Sequence, residues 1–129
     1  KSEILNIPTF GCINLHSSLL PNFKGVMPSF WVLLKKEKYT GVSVFKMDEG
    51  IDSGPIISQK KILIAENTTQ KDLIIRTKEI GMKLIIESVE KIKSGKIDYI
   101  NNPKGKGNYF SFPKKSDINQ FLKQGGKFF

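Results

Sequence analysis

Residues 40–64, TGVSVFKMDEGIDSGPIISQKKILI, contain the pattern that decides the fold. Thr40–Met47 alternates along its length and is rich in Val and Phe, which predicts a strand. Asp48–Gly54 is a short acidic segment with two glycines, which predicts a tight loop. Pro55–Ile64 predicts the next strand, and because the connection is short we expect the two strands to be antiparallel neighbours.

A long helix is predicted after this pair of strands. Through Gln70–Lys93 apolar residues recur at roughly helical spacing, and Gly95 follows as a natural C-terminal stop. Thr68 or Thr69 is suited to be the N-cap, and Asp72 then lies in the first turn, where an acidic side chain is favourable. At 1.5 Å per residue the helix would be about 36 Å long, enough to cross one face of a sheet.

Two shorter elements precede the strand pair. Gly11–His16 (GCINLH) predicts a short buried strand, and Ser17–Gly25 contains the Pro and Gly of a loop. Pro28 suits the first turn of a helix that continues through Ser29–Lys36. The pattern predicts an α/β fold, but with only about three strands, fewer than a doubly wound sheet needs. We therefore expect an N-terminal half of the domain to be missing from this chain.

The composition of the 129-residue chain, with 39% hydrophobic and 26% charged residues, is that of an ordinary globular protein. No apolar run approaches the roughly 18 residues of a membrane span, so we expect no membrane partner. One cysteine, Cys12, and one histidine exclude an internal disulfide and a Cys/His metal site. The net charge of +9 comes from lysines and the single Arg76, and it favours an anionic partner, although a biased genome produces the same excess.

Two polar side chains at the end of the first predicted strand are candidates for chemistry. Asn14 and His16 are two residues apart and point to the same face, and ligands of open α/β sheets bind at the carboxyl ends of strands. Histidine is readily tuned for proton transfer near neutral pH, but it is also often structural. Asp48, Glu49 and Asp52 share one loop, where they either orient His16 or belong to a solvated turn. The residues alone leave both alternatives open.

Two blocks of sequence together resemble the formyltransferase family. Residues 14–21, NLHSSLLP, followed by Lys24-Gly25, are similar to the family form N-x-H-P-S-L-L-P with a following basic residue and Gly. Residues 40–57, TGVSVFKMDEGIDSGPII, are similar to the family segment T-G-V-T…D-E-G-x-D-x-G-x-I-I. The blocks stand in the family's order and separation. Ser17 lies where the family usually has Pro, which affects loop stiffness more than chemistry because Pro mainly fixes φ.

The resemblance implies the C-terminal part of a Rossmann-like α/β domain, with a mixed sheet and a long packing helix. It implies transfer of a formyl group from 10-formyltetrahydrofolate to an amine, without a metal. By the resemblance, Asn14, His16 and Asp52 occupy the family's catalytic Asn, His and Asp positions. The residues implied for the folate pocket are Ser18, Leu19, Leu20, Pro21, Asp48, Glu49, Gly50 and Ile51.

The resemblance also implies a domain organisation and a class of acceptor. Residues 1–98 would be the C-terminal portion of the catalytic domain, and residues 99–129 a polar linker and a short tail. The acceptor would be an anionic amine in the cytoplasm: methionyl-tRNA, a sugar nucleotide or glycinamide ribotide. The oligomeric state is left open. Because the N-terminal half is missing, a non-catalytic folate- or RNA-binding remnant is the alternative from a different class.

Overall fold

The computed structural model describes residues 2–129. The strands predicted at residues 40–47 and 55–64 are confirmed, each with bounds within one residue of the prediction. The helix predicted near residues 28–36 is also confirmed, and Pro28 is in its first turn. The elements in chain order are α1 Ser2–Leu5, β1 Ile13–His16, β2 Lys24–Gly25, α2 Pro28–Leu34, β3 Tyr39–Lys46, β4 Ile56–Leu63, α3 Gln70–Lys93, β5 Tyr109–Phe110 and α4 Lys115–Lys123.

The larger sheet has three strands in the order β1-β3-β4, and its pairings are all antiparallel. The predicted pairing of β3 with β4 is therefore confirmed. β1 lies on the other side of β3, where His16 is opposite Ser43. Parallel pairing occurs in a second, two-stranded sheet, in which Lys24 of β2 is opposite Tyr109 of β5. We expected parallel and antiparallel pairs within one mixed sheet. The structure has the antiparallel pairs in the three-stranded sheet and the parallel pair in the two-stranded sheet.

Helix α3 begins and ends as the sequence predicts. The Oγ1 atom of Thr69 accepts the backbone N–H of Asp72 at 3.1 Å, and the Asp72 carboxylate accepts the backbone N–H of Thr69 at 3.2 Å. This reciprocal pair is a capping box, which satisfies two N–H groups at the start of the helix. Gly95 follows the C-cap with φ 66°, a left-handed conformation that glycine adopts without strain.

One face of α3 covers the larger sheet. Leu84 packs with the buried side chains of Val42 and Val44. Gly81 lies so close to Leu15 that a Cβ atom on the glycine would come within 2.5 Å of the leucine Cδ2. A glycine is normally unfavourable inside a helix. Here it permits the close approach of α3 to β1 and thereby fixes which face of β1 is turned away from the helix.

A second core lies between α2 and the C-terminal segment. The ring of buried Phe30 is 5.1 Å from the ring of Phe121, and the ring of Trp31 stacks on Phe110 at 4.7 Å. Phe128 lies 5.1 Å from Phe121, again measured between ring centroids. Residues beyond 98 therefore supply buried aromatic side chains to the fold. The predicted boundary between a domain portion and a linker at residue 98 stays a prediction.

β1 is an edge strand of the larger sheet. Within residues 2–129 it pairs with β3 alone, and its opposite edge has no strand beside it. Asn14, in the middle of β1, is exposed, Ile13 and Leu15 are half-buried and only His16 is buried, so the prediction of a buried strand is wrong except at its last residue. No helix in the part of the chain that the structure describes is both long and apolar enough to cross a membrane.

Candidate active site

His16 is the last residue of β1 and is 7% exposed. Its Nε2 atom lies 2.7 Å from the carbonyl oxygen of Phe23. A carbonyl oxygen only accepts, so Nε2 carries the hydrogen and donates it. The fold thereby selects one tautomer of the neutral ring, in which Nδ1 has no hydrogen.

Asp52 faces the other nitrogen of this ring. Its Oδ2 atom is 3.6 Å from Nδ1 of His16, and the Asp52 side chain is 11% exposed. The same oxygen accepts the backbone N–H of Gly25 at 2.7 Å. The backbone of Asp52 has φ 48°, in the left-handed region, where Asp is tolerated better than most residues. The carboxylate is therefore held beside the imidazole by a fixed backbone and by a bond to β2.

His16 and Asp52 form a close pair of an imidazole and a carboxylate. The separation of 3.6 Å is too long for a hydrogen bond but close for two charged groups. The carboxylate of Asp52 is therefore the charged group that faces Nδ1 of His16. The structure thus brings together two of the three residues predicted as catalytic.

Asn14 is placed by strand geometry alone. Leu15 contacts Gly81 on α3, so Asn14 and His16 lie on the opposite side of β1, as predicted. The side chain of Asn14 is exposed at the edge strand. Its amide is accessible to a ligand on the face that also carries the buried imidazole.

The loop after β1 is held in place by side chains of the sheet. Ser43 Oγ donates to the carbonyl oxygen of Ser18 at 2.7 Å and accepts the N–H of Leu20 at 3.2 Å. Gln59 Nε2 donates to the carbonyl oxygen of Leu20 at 3.0 Å. Ser18 and Leu20 are buried, whereas Leu19 and Pro21 keep part of their surface accessible. Ser18 and Leu20 therefore shape this loop from inside it, and their assignment to a folate pocket stays a prediction.

The acidic loop between β3 and β4 has an ordered turn at its start. Asp48 Oδ1 accepts the Ser53 hydroxyl at 2.6 Å and the Gly50 N–H at 3.1 Å. Glu49 and Gly50 are exposed, and Ile51 is 60% exposed. The solvated-turn alternative thus describes Asp48–Ile51, whereas Asp52 at the end of the same loop is turned towards His16. The assignment of Asp48–Ile51 to a folate pocket stays a prediction.

Four residues that hold the site were missed by the sequence analysis: Ser43, Gln59, Asn102 and Asn108. Asn102 Nδ2 donates to the carbonyl oxygens of Asp52 and Gly54. Its partners are about 50 residues away along the chain, so no local spacing indicates the contact. The alternation of β3 places Ser43 inside the sheet, and a buried hydroxyl there was the only available signal.

The fold and this site define an α/β domain with a buried histidine at the end of a strand and a carboxylate beside it. Within residues 2–129 no three His, Cys, Asp or Glu side chains are grouped so as to hold a metal ion, and the expectation of metal-free chemistry stays a prediction. The chain belongs to the formyl transferase family, because the model of the family described as formyl transferase matches residues 1–89. The matched range contains both sequence blocks and the His16–Asp52 pair.

Relatives and solved structures agree with this assignment. The chain is 46% identical over 93 residues, 72% of its length, to a methionyl-tRNA formyltransferase of Thermodesulfovibrio yellowstonii, of which it covers 30%. The formyltransferase PseJ of Anoxybacillus kamchatkensis, solved with a UDP-linked formamido sugar and tetrahydrofolate, has a TM-score of 0.72 and 35% identity, covering 89% of this chain and 58% of its own. The phosphoribosylglycinamide formyltransferase of Bacillus halodurans has a TM-score of 0.61 and 34% identity, covering 64% and 42%. The predicted Rossmann-like formyltransferase fold is therefore confirmed.

Proposed function

We propose that this chain is part of an enzyme that transfers a formyl group from 10-formyltetrahydrofolate to the amino group of an anionic acceptor in the cytoplasm. The observation that carries the proposal is the position of His16, between the carbonyl oxygen of Phe23 and the carboxylate of Asp52. Membership of the formyl transferase family supports the reaction class. The chain spans 30% of the length of the Thermodesulfovibrio relative, so the activity is proposed for the whole protein.

Proton transfer is the task proposed for His16 and Asp52. The acceptor amine forms a bond to the formyl carbon, and the bond from that carbon to the donor nitrogen breaks. The amine loses one proton and the donor nitrogen gains one, so protons balance over the reaction. His16 takes up the proton at Nδ1, with Asp52 beside it, and releases it to the leaving nitrogen. Side chains placed in this way contribute roughly 100- to 10,000-fold to the rate.

Stabilisation of negative charge is the task proposed for Asn14. Attack of the amine places negative charge on the formyl oxygen. The Asn14 amide is exposed on the face of β1 that also carries His16, so it is accessible to donate a hydrogen bond to that oxygen. One such donor is typically worth about 100- to 1,000-fold in kcat.

The place proposed for part of the folate donor is a cavity beside the acidic loop, whose lining does not include Asn14, His16 or Asp52. An open cavity of about 540 Å³ lies beside the loop and is lined in part by Asp48, Asn102 and Lys104. Ligand sites in proteins usually enclose about 300–1,000 Å³ and combine apolar walls with a few polar groups. Ile51 and Pro21 keep part of their apolar surface accessible, which suits contact with a ring. When bound, the donor supplies the activated formyl group.

Methionyl-tRNA is the acceptor that we propose first, and similarity to the Thermodesulfovibrio enzyme supports it. A sugar nucleotide is the second candidate and glycinamide ribotide the third, supported by similarity to the PseJ and Bacillus halodurans structures. All three acceptors carry phosphate, and the net charge of +9 suits each of them.

A direct assay tests the proposal. Protein made from the complete open reading frame that contains this chain is mixed with 10-formyltetrahydrofolate and, in turn, with methionyl-tRNA, an amino-sugar nucleotide and glycinamide ribotide. We expect formylated methionyl-tRNA and an equal amount of tetrahydrofolate. Formylation of a different amine corrects the acceptor and keeps the reaction. Folate binding without transfer to any amine contradicts the proposal and supports the non-catalytic remnant. The Asp52→Asn protein is the matched inactive control.

A further inference from the structure

Asn102 lies in the polar segment after α3 and fastens the backbone that carries Asp52. Its Nδ2 group donates to the carbonyl oxygen of Asp52 at 3.0 Å and to that of Gly54 at 2.8 Å. Asn102 is 6% exposed, and among the residues that the structure describes none hydrogen-bonds its Oδ1. Leaving a buried acceptor unpaired costs free energy. The buried amide of Asn102 therefore makes only the two hydrogen bonds that it donates, and both go to the loop that contains Asp52.

Asn108 forms hydrogen bonds with the backbone around Phe23, whose carbonyl oxygen contacts Nε2 of His16. Its Oδ1 accepts the backbone N–H of Phe23 at 2.6 Å, and its carbonyl oxygen accepts the N–H of Lys24 at 2.9 Å. The carbonyl oxygen of Phe23 in turn accepts the hydrogen on Nε2 of His16. Asn108 itself is exposed, so its side chain adds little buried surface to the fold. Its side chain holds the peptide group between Asn22 and Phe23, and its backbone carbonyl holds the next peptide group, whose carbonyl oxygen faces His16.

We propose that Asn102 and Asn108 are positioning residues for the reaction centre. Asn108 sets the carbonyl group that fixes the tautomer of His16, and Asn102 sets the loop that presents the Asp52 carboxylate to the same ring. The inference rests on the proposed function in that His16 carries the proton. The segment from residue 99 onward is thereby assigned a part in catalysis as well as in packing.

The two asparagines act through opposite chemical features, and a single kind of substitution separates them. Asn102 uses its Nδ2 hydrogens, which an aspartate lacks. Asn102→Asp therefore loses both donated bonds and sets a carboxylate against two carbonyl oxygens. Asn108 uses its Oδ1 as an acceptor, which an aspartate keeps. Asn108→Asp preserves the bond to Phe23, whereas Asn108→Ala removes it. Asn101→Asp, at the exposed neighbour, is the matched control for the added charge.

The readout is the imidazole of His16, the only histidine among these 129 residues. Its ring signals in ¹H–¹⁵N spectra of the complete protein are identified as those that are absent from His16→Gln. We expect displaced ring ¹⁵N shifts in Asn102→Asp and Asn108→Ala, and wild-type shifts in Asn108→Asp and Asn101→Asp. Far-UV circular dichroism checks that each variant is folded. If Asn102→Asp does not fold, Asn102→Ala removes the same donors without adding charge and is measured instead. Unchanged His16 signals in the Asn102 variant, or equal displacement in Asn101→Asp, overturn the proposal.

Kinetics of the complete enzyme provide a second readout that a merely structural role does not predict. A displacement of reacting groups by about 1 Å costs roughly 100-fold in rate. We expect Asn102→Asp to lose about that factor in kcat with the acceptor KM unchanged, and Asn108→Asp to keep wild-type kcat. If the wild-type protein transfers no formyl group, the proposed function is refuted. The His16 spectra still test the positioning role, because they do not depend on turnover. A loss confined to KM contradicts the positioning role.

Discussion

The surroundings of His16 and those of Phe30 are built by different forces. His16 is surrounded by directional contacts: the Phe23 carbonyl on one nitrogen and the Asp52 carboxylate facing the other. Phe30 is surrounded by rings, with Trp31, Phe121 and Phe128 within 6.3 Å between centroids. Hydrogen bonds add only about 0.5–1.5 kcal/mol each to stability, whereas burial of a large aromatic side chain adds several times more.

The contacts around His16 position atoms, whereas the rings around Phe30 stabilise the fold. Directional contacts fix where atoms lie and contribute little to the free energy of unfolding. The aromatic cluster raises the free energy of unfolding, and because burial of apolar surface is not directional it fixes the position of each atom less closely. Substitutions beside His16 should therefore change turnover more than stability, and substitutions beside Phe30 should do the reverse.

The largest expected effect is on turnover, from Asp52→Asn. The amide keeps an oxygen for the N–H of Gly25 but removes the negative charge that faces Nδ1 of His16. We expect kcat to fall by roughly 100- to 10,000-fold, with a thermal midpoint close to that of the wild type. Formyl-transfer kinetics and calorimetry measure both quantities. Asp98→Asn, at an exposed position outside the site, is the control and should stay active; an equal loss in the control would show that the effect is not specific to Asp52.

The largest expected effect on stability comes from Phe121→Ala. Phe121 is 2% exposed and touches Phe30 and Phe128, so truncation leaves a cavity in the aromatic cluster. We expect the free energy of unfolding to fall by about 3–5 kcal/mol in urea titrations. Phe112→Ala removes a ring that is 71% exposed and should change it by about 0.5 kcal/mol or less. Equal losses in the two variants would show that this cluster is not a core.

A smaller effect on turnover is expected for Asn14→Ala. The side chain is exposed on β1, so its removal should leave stability unchanged. Loss of the proposed donor to the formyl oxygen should lower kcat by about 100- to 1,000-fold while folate affinity is kept. Steady-state kinetics and folate titration separate the two quantities. Asn22→Ala, at an exposed position in the loop after β1, is the control. Turnover near the wild-type value would remove Asn14 from the mechanism.

The smallest effect is expected at the start of α3, away from both regions. Thr69→Ala removes the hydroxyl that caps the helix and should lower the free energy of unfolding by about 1 kcal/mol at neutral pH. Hydrogen bonds from the hydroxyl and the N–H of Thr69 hold the pKa of Asp72 below its usual range. The stability that this carboxylate contributes is present above the ordinary aspartate pKa of about 3.9 and is lost as the pH falls through the lowered pKa.

The difference in the free energy of unfolding between the wild type and Thr69→Ala should therefore become smaller as the pH falls, because the wild type loses more of the stability that depends on the Asp72 carboxylate. Urea titrations at neutral pH and at successively lower pH measure it. Thr68→Ala is the matched control, because the hydroxyl of Thr68 bonds to Ala65 and does not cap the helix. A gap that widens on acidification would contradict the sign of the effect.

Elements with local signals were predicted from the sequence. The strands β3 and β4 follow from alternation and a short connection, and α3 follows from periodicity between Thr69 and Gly95. Contacts between distant parts of the chain were not predicted. The parallel pairing of Lys24 with Tyr109 joins segments 85 residues apart, and two-residue strands have no periodicity to detect.

The sequence likewise predicted only part of the candidate site. Asn14 and His16 follow from their positions at the end of a strand. Asp52 came only from the family resemblance, because Asp and Gly in a loop fit a solvated turn equally well. Its role depends on a backbone that turns the carboxylate towards β1, and that conformation is held by Asn102 from far along the chain. Local spacing contains no information about such a contact.

The hydrogen bond between His16 and Phe23 also restricts the order of events in catalysis. A ring whose Nε2 donates to a carbonyl oxygen has its one lone pair at Nδ1, and in the proposed reaction that lone pair takes up the proton of the acceptor amine. In that reaction the imidazole therefore does not take up the formyl group and hand it on. In the proposed transfer, donor and acceptor are then bound together when the group moves, and we expect initial rates of the complete enzyme to follow a sequential pattern, with intersecting double-reciprocal lines.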